Sequence, residues 1–399
     1  MLTTTRRSAK TLAHAAVVAA SLLFTGSAMA IAAPSAGSSG ATQHGPVPSL
    51  MVRLVLNGSK LHHQFVVAGK RHSEPLAGPD DLTMLGGRLF TAFQNGVGSQ
   101  GEPSTDGNTD STVVEFTPSG HVLRQWDIKG KCDGLTADPA RRLVIATVDE
   151  DANSSVYTIT PGGPAAAAVQ HFRYNRPLPH KGGTDAISIY HGLVLVSASA
   201  PGTTGKPAPQ PTYPAIYVVR FNRVTHVATV LPLFGDEARA LVANLPASHP
   251  KTVRMALTDP DSNSVVPHGA MRFGGDFMLT SQADKEQIFL LRSGQSGRRL
   301  AVLRLSQSID DTAWALGRSG RLYASDATSD SIDVVTGRFP ARGEFVAVTP
   351  CDAANAPATC PGPGFPPNYL GLLDPFTGHV SRVPVSGATL NPKGLLFIG

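Results

Sequence analysis

One short unit recurs along this chain of 399 residues, and its repetition constrains the fold more than any other feature. Each copy begins with a polar residue and a small residue, continues into an apolar strand, and then turns towards a second apolar strand. We find six such starts, at Asp80-Asp81-Leu82, Asp133-Gly134-Leu135, Asp185-Ala186-Ile187, His268-Gly269-Ala270, Asp311-Thr312-Ala313 and Lys393-Gly394-Leu395. Self-similarity along a chain is typical of repeat architectures, in which each copy folds as one unit.

Each of the first five starts is followed by enough strand candidates for a four-stranded sheet. In the first copy, Arg88-Leu89-Phe90 is followed by residues 112–116 and 122–128, and in the fifth copy Asp311-Thr312-Ala313 is expected to pair with Arg321-Leu322-Tyr323. Four antiparallel strands per repeat are typical of a propeller blade. Gly and Pro are abundant, at 40 and 32 residues, as expected for many short strands joined by tight turns. The sequence therefore predicts an all-β fold, a six-bladed β-propeller.

The sixth copy has a single strand before Gly399, whereas residues 51–56 and 64–68 are strand candidates without a partner. We expect these two N-terminal segments to complete the sixth blade, so that both chain ends close the ring and cover an open sheet edge. The intervals after the third and fifth starts are long. We interpret them as loop insertions that carry the Pro-rich residues 201–214 and the segment from Cys351 to Cys360; a seventh blade is the alternative.

The first thirty residues have the features of an export signal. They contain three basic side chains, Arg6, Arg7 and Lys10. An apolar stretch over residues 12–24 follows, and Ala28-Met29-Ala30 matches a cleavage site. Ordinary unfolded export and twin-arginine export both stay open, because the arginine pair is present but Ala9 replaces the bulky residue expected after it. We therefore expect residues 1–30 to be a signal peptide and the protein to be secreted or periplasmic.

Residues 31–49 are rich in small side chains and are expected to form a flexible linker before a propeller of residues 50–399. Loss of the three signal cations lowers the formal net charge from +5 to +2, which is too little to indicate nucleic acid. No later run approaches the roughly 18 apolar residues of a membrane span. Residues 96–101 match G-x-G-x-x-G, but Glu102-Pro103 cannot open the helix of a dinucleotide site, so we expect no nucleotide cofactor. We expect a monomer.

Three cysteines are few for an exported protein. Cys351 and Cys360 lie close together in a Pro-rich segment, which predicts a local disulfide in an oxidising compartment. Cys132 is left over, and we interpret it as a small buried hydrophobic side chain rather than a reactive thiol.

Two acidic segments, residues 149–153 and 259–263, have the alternating oxygen donors of a calcium loop. Neither segment has the glycine at the sixth place or the glutamate at the twelfth that such a loop requires. We interpret both as acidic surface turns.

The polar residues that open the repeats predict a site. The first strand of each blade lines the central channel of a propeller, so these six side chains are expected to converge on one mouth: Asp80, Asp133, Asp185, His268, Asp311 and Lys393. Four carboxylates at one mouth repel one another unless a cation, a shifted pKa or Lys393 offsets their charge. The carboxylates are therefore candidate ligands for Ca²⁺ or another divalent metal, and His268 and Lys393 are candidate ligand contacts. The alternative is a ring that Lys393 and solvent neutralise.

At these residues the chain resembles the six-bladed propellers that include regucalcin, gluconolactonases and paraoxonases, and also the NHL-repeat propellers. The resemblance covers the mature chain as architecture, and its specific part is the position before the small residue, as in Asp133-Gly134-Leu135. In gluconolactonase-like enzymes, Glu, Asn and Asp at such positions hold a divalent metal. The resemblance implies metal ligands at Asp80, Asp133, Asp185 and Asp311, and a ligand or base at His268. This ring departs from the pattern because it has neither Glu nor Asn and adds Lys393.

Two classes of function fit these residues. One is a binding protein that takes a small molecule, a glycan or a protein at the channel mouth, which the long insertions favour. The other is a metal-dependent lactone or ester hydrolase, in which the metal polarises a carbonyl and His268 or Asp311 removes a proton from water. A quinone-dependent redox propeller is disfavoured, because Trp126 and Trp314 are the two tryptophans of the chain.

Overall fold

The computed structural model describes residues 50–179, 182–199, 212–246, 248–291, 299–352 and 367–399. Helical structure in these ranges is scarce and includes the 3-10 turn Gly58–Lys60 and the four-residue helix α1 (Ala165–Ala168). The predicted signal peptide and linker lie outside the described residues. Among the described residues, no helix is long and apolar enough to cross a membrane.

The first half of the chain forms a strand, a hairpin and three blades. The strand is β1 (Leu50–Asn57), and the hairpin pairs β2 (His62–Val67) with β3 (Lys70–Pro75). The blades follow in chain order as β4 (Pro79–Leu85), β5 (Arg88–Phe93), β6 (Asp110–Phe116) and β7 (Val122–Lys129); β8 (Cys132–Asp138), β9 (Leu143–Val148), β10 (Ser155–Ile159) and β11 (Val169–Tyr174); and β12 (Thr184–Tyr190), β13 (Leu193–Ala198), β14 (Pro214–Asn222) and β15 (Val227–Gly235).

The second half forms blades four to six. Blade four contains β16 (Arg239–Val242), β17 (Thr252–Arg254), β18 (Pro260–Val265), β19 (Phe277–Ser281), β20 (Glu286–Leu291) and β21 (Arg299–Arg304). The remaining strands are β22 (Ile309–Ala315), β23 (Arg321–Asp326), β24 (Ser331–Thr336), β25 (Gly343–Val348), β26 (Tyr369–Leu373), β27 (Val380–Arg382), β28 (Val385–Gly387) and β29 (Leu395–Ile398). Blade five is β22, β25, β26 and β27, and blade six is β29, β23, β24, β1 and β28.

The inner strands of the described blades surround one channel in the order β4, β8, β12, β18, β22 and β29, and β29 contacts both β22 and β4. The chain is therefore a six-bladed β-propeller whose ring is closed by strands from both chain ends, as the repeats predict. The long interval after the third start carries β14 and β15 of blade three and β16 and β17, which extend blade four. A seventh blade is thus absent from the described residues.

Two strand assignments from the sequence were wrong. The segment Asp311-Thr312-Ala313 does not share a sheet with Arg321-Leu322-Tyr323, because β22 pairs with β25 whereas β23 pairs with β24 and β29. Residues 64–68 do not enter blade six, because β2 pairs with β3; the first segment does, because β1 pairs with β24. The four-residue strand β29 cannot hold the edge of a blade alone, and the β23–β24 hairpin supplies its partner.

Apolar side chains fill the spaces between neighbouring blades. Every residue of β9 is buried, as expected for a strand that is covered on both faces. The described residues form six apolar clusters, one at each blade interface; for example, Phe277 and Ile288 of blade four pack with Ile216 of blade three. This packing fixes the inner strands and hence the residues at the channel mouth.

Candidate ligand site at the channel mouth

The start of each of the first five inner strands has the same irregular backbone. In β8 the pairing moves from Cys132 opposite Val148 to Leu135 opposite Ala146, and the same shift occurs in β4, β12, β18 and β22. The second residue of this irregular segment is an aspartate in all five strands, and Lys393 takes the equivalent place before β29. We call this set the acidic ring: Asp80, Asp133, Asp185, Asp261, Asp310 and Lys393.

The acidic ring corrects two positions from the sequence analysis. In blade four the ring residue is Asp261 and not His268, which is exposed on the turn after the far end of β18. The segment 259–263 is therefore the start of an inner strand and not a surface turn. In blade five the ring residue is Asp310, and Asp311 takes the next position. The sequence does contain a pattern that marks both positions. Pro260-Asp261 and Ile309-Asp310 match Pro79-Asp80, because in each pair an apolar residue precedes the aspartate.

Asp81 and Asp311 hold neighbouring inner strands together. The Asp81 carboxylate accepts a hydrogen bond from the Leu135 amide at 3.0 Å, and Asp311 accepts from the Leu395 and Thr312 amides at 2.7 and 2.6 Å. Burial raises the pKa of Asp311 to about 7. Both oxygens of Asp311 are thus engaged by backbone groups, which leaves the side chain a poor candidate for a metal ligand or a catalytic base.

The small residues after the ring positions are explained by close approach of the next inner strand. A Cβ atom on Gly134 would lie 2.5 Å from Thr147 Oγ1 and 2.8 Å from the Ala186 Cα atom, and one on Gly394 would lie 2.7 Å from the Asp80 carbonyl oxygen. Real Cβ atoms do not approach other atoms this closely. At these two positions glycine therefore stands where adjacent inner strands nearly touch, whereas Asp81 and Asp311 occupy the same position in blades one and five.

Lys393 neutralises the ring at blade one. Its Nζ atom lies 3.2 Å from Asp80 Oδ2 and 3.6 Å from Asp352 Oδ2. Gln94 adds a second contact, because its Nε2 atom donates to Asp80 Oδ2 at 2.5 Å and to Asp133 Oδ1 at 3.1 Å. The Asp80 carboxylate is thus held by one cation and one amide.

Lys131 neutralises the ring at blade two. Its Nζ atom lies 2.8 Å from Asp133 Oδ1 and also contacts the Glu150 carboxylate. Although burial alone lowers it, the carboxylates of Asp133 and Glu150 raise the pKa of Lys131, so the lysine stays charged. Asp80 and Asp133 therefore have ion-pair partners, and we call them the compensated half of the ring, although burial and the charge of Glu150 still raise the pKa of Asp133 well above its ordinary range.

The other half has no such ion pair, although the charge of Lys393 acts on Asp310 and opposes the rise of its pKa that burial causes. Within the described part of the chain, no lysine or arginine lies within ion-pair distance of Asp185, Asp261 or Asp310. Burial raises the pKa of Asp185 and of Asp261 well above the ordinary range, and the carboxylates around them add to the effect. Each of these two carboxyl groups influences the pKa of the other, so that a protonated form of one of them is favoured. We call these three residues the uncompensated half of the ring.

Two buried carboxylate oxygens of the ring have no hydrogen-bond partner, namely Oδ2 of Asp133 and Oδ2 of Asp261. The Asp133 side chain is 4% exposed, so water does not replace the missing partner freely. An unpaired buried acceptor costs roughly 1 to 3 kcal/mol, and more when it is charged. In the described ranges no group of three or more His, Cys, Asp or Glu side chains is already arranged to hold a metal ion.

Both cysteine predictions concern this end of the channel. Cys132 is fully buried beside Asp133, and burial raises the pKa of its thiol well above the ordinary value, as expected for a small hydrophobic side chain. The pairing of Cys351 with Cys360 stays a prediction, because Cys360 lies outside the described residues.

The predicted loop insertions start at the mouth. Strand β13 ends with Ala198 opposite Thr184, and β25 ends with Val348 opposite Ile309. Because Thr184 and Ile309 directly precede ring residues, the segments that follow β13 and β25 leave their sheets beside the ring.

Comparison with known proteins gives architecture only. No protein-family model matches the chain, and no curated protein matches it. A periplasmic gluconolactonase from Pseudomonas aeruginosa is 12% identical over 88% of this chain and 99% of its own, with a TM-score of 0.42. A protein of unknown function from Bacteroides caccae is 11% identical over 88% and 99%, with a TM-score of 0.43. A putative 6-phosphogluconolactonase from Bacteroides uniformis is 9% identical over 88% and 100%, with a TM-score of 0.43. Likenesses of this size carry no argument about activity.

Proposed function

We propose that the protein is a secreted or periplasmic binding protein that takes a divalent cation, with Ca²⁺ preferred, at the mouth of its channel. The observation that carries the proposal is the unequal charge of the acidic ring. Lys131 and Lys393 form ion pairs with one half, whereas Asp185, Asp261 and Asp310 have no ion-pair partner among the described residues. A bound divalent cation would replace their mutual repulsion with attraction.

The residues fit Ca²⁺ in their donor atoms. Calcium takes roughly six to eight oxygen ligands in flexible geometry, from carboxylates, carbonyls and water. The uncompensated half offers three carboxylates, and the unpartnered Oδ2 atom of Asp261 is an acceptor with no other use in the described residues. Since no ready coordination shell exists there, waters would complete the ligand set. The ion would supply positive charge and would link the inner strands of blades three, four and five.

The hydrolase alternative receives no support from its expected proton acceptors. His268 lies on an exposed turn beyond the far end of β18, and both oxygens of Asp311 accept backbone hydrogen bonds. A binding role needs neither group. We therefore propose binding, not turnover, as the function of the ring.

The proposal is tested by the melting temperature of the mature protein with EDTA and with CaCl₂. A ligand that binds only the folded state stabilises it, so we expect Ca²⁺ to raise the melting temperature by about 5 °C. Asp261→Asn should abolish this rise without lowering the melting temperature in EDTA, because an amide relieves the crowding of charge. The matched control, Asp106→Asn, removes an exposed loop carboxylate and should keep the full rise.

A second readout separates ion binding from a general salt effect. Calorimetric titration of Ca²⁺ in two buffers of different ionisation enthalpy should show proton release, because the pKa values of Asp185 and Asp261 are raised and a bound cation favours the ionised carboxylates. A calcium-dependent rise that survives Asp261→Asn unchanged, or no rise in the parent, would contradict the proposal.

A further inference from the structure

A cavity separate from the channel mouth lies between blades two and three, at the end of the propeller opposite the acidic ring. It occupies about 680 Å³ and is lined by the turns after β8, β12 and β14 and by the strand ends beside them. Its volume falls within the range of roughly 300 to 1,000 Å³ that is typical of small-molecule sites. We call it the blade 2–3 groove.

The two blades that line this groove are joined at their outer strands, at residues that are not part of the groove itself. Strand β11 of blade two pairs in parallel with β15 of blade three, with Arg173 opposite Val227 and Tyr174 opposite Ala228. Asn175 adds a contact, because its side-chain oxygen accepts from the Val230 amide at 3.0 Å. The two blades therefore form one eight-stranded sheet, which no other pair of described blades does. A cavity between two joined blades exists before any ligand arrives.

The inner surface of the groove is apolar. Leu143 of blade two and Val194 and Val219 of blade three line it and are buried against the blade interface. Leu193 stands at the edge with 40% of its surface exposed. A ligand that enters the groove would remove the exposed surface of Leu193 from water, which favours an apolar body.

The rim of the groove carries an excess of positive charge. Arg141, Arg220 and Arg223 line it together with a single acid, Asp138. The Asp138 carboxylate is occupied, because it accepts from Arg141 Nη1 at 2.5 Å and from the Arg141 amide at 3.1 Å. Neither Arg220 nor Arg223 has an ion-pair partner in the part of the chain that the structure describes. Two exposed guanidinium groups are thus free to bind an anion.

We infer that the blade 2–3 groove binds an amphipathic organic anion. The apolar body lies against Leu143, Val194 and Val219, and the carboxylate or sulfonate head binds Arg220 and Arg223. Guanidinium groups suit such heads because they donate two parallel hydrogen bonds in a fixed geometry. The inference is independent of the cation site, which lies at the other end of the channel.

The test uses 8-anilinonaphthalene-1-sulfonate, an aromatic sulfonate that fluoresces in apolar surroundings. The folded protein should bind it saturably, and the double variant Arg220→Gln/Arg223→Gln should bind it about tenfold more weakly, the loss expected for charge-assisted hydrogen bonds. The control double variant Arg318→Gln/Arg338→Gln removes two exposed arginines from turns of other blades, and so changes the net charge equally. It should bind as the parent does.

Competition then identifies the chemistry of the ligand. Decanoate should displace the dye, whereas decanol, which lacks the charge, and inorganic phosphate, which lacks the apolar body, should displace it at least tenfold less well. Displacement by phosphate as effective as that by decanoate would overturn the amphipathic assignment in favour of a simple anion. Equal dye affinity in the parent and the Arg220/Arg223 variant, at matched melting temperatures, would overturn the site itself.

Discussion

Equivalent aspartates of the ring have different surroundings, and at Asp133 and Asp261 the residue two places earlier contributes to the difference. Lys131 precedes Asp133 and forms an ion pair with it, whereas Asp259 precedes Asp261 and helps to raise its pKa. The repeat thus keeps one side chain constant and changes the charge beside it. This explains how a ring with five aspartates has a compensated half and an uncompensated half. The contrast can be predicted from the sequence once the strand starts are aligned.

Alignment of those starts failed in blade four for a physical reason. Blades two and three have Gly134-Leu135 and Ala186-Ile187 where blade four has Ser262 and Asn263. Both polar side chains are used between blades: Ser262 donates to the Asp310 carbonyl, and Asn263 Nδ2 donates to the Ala186 carbonyl at 2.6 Å. Hydrogen bonds replace apolar contacts here, so the apolar pattern that marks the repeat is lost. His268-Gly269-Ala270 therefore matched the repeat better than the true start of the inner strand.

The small residue after the ring position is predicted to be essential at Gly134. Gly134→Ala would place a methyl group 2.5 Å from Thr147 Oγ1 and 2.8 Å from the Ala186 backbone, and overpacking of this kind costs about 2 kcal/mol. Urea denaturation should show that loss of unfolding free energy. Gly317→Ala is the matched control, because the nearest atom to its new methyl group would be 3.7 Å away. Equal stability of the two variants would show that the inner strands can separate at no cost.

Glu344 is predicted to make stability fall as the pH rises. It is buried in β25, and burial raises its pKa from 4.5 to about 7. Between these two values the folded state keeps the proton and the unfolded state does not, so the folded state loses stability with increasing pH. Glu344→Gln, which cannot ionise, should therefore gain about 3 kcal/mol relative to the parent between pH 4.5 and pH 7. Urea midpoints at both pH values measure this gain, with Asp106→Asn as the control; a constant difference between variant and parent would contradict the prediction.

At the scale of elements, the sequence predicted where strands form but did not predict which strands pair. Alternation and turn residues mark β22, β23 and β24 correctly, yet the hairpin of β23 and β24 belongs to blade six. Strands β23 and β24 join the sheet whose edge would otherwise stay open. That edge is β29, which lies about 60 residues further along the chain. Such pairing leaves no local signal, so a pattern read along the sequence assigns the hairpin to the nearest blade.

At the scale of the whole molecule, the ring closes in blade six through strands from both ends of the described chain. Strand β1 lies between β24 and β28, and β29 covers the inner side of β23. The six apolar interfaces are then continuous around the channel, with the interface between blades six and one included. Closure of this kind leaves each inner strand with two neighbours, which is what holds the ring residues at their mutual distances.

Loss of closure is predicted to destabilise the whole propeller and not one blade alone. Val52→Pro places proline in β1, where Val52 is 2% exposed and pairs on both sides, with Val335 and with Gly387. Proline in a paired strand removes a hydrogen-bond donor and costs about 3 kcal/mol or more, and the freed edge of β24 would pair with other molecules. We expect a lower melting temperature together with oligomers in light scattering. The control is Val66→Pro in β2, where the side chain is 65% exposed and the hairpin stands outside the ring. If both variants lose the same stability and neither associates, the ends of the chain do not close the ring in the way that the sheet order requires.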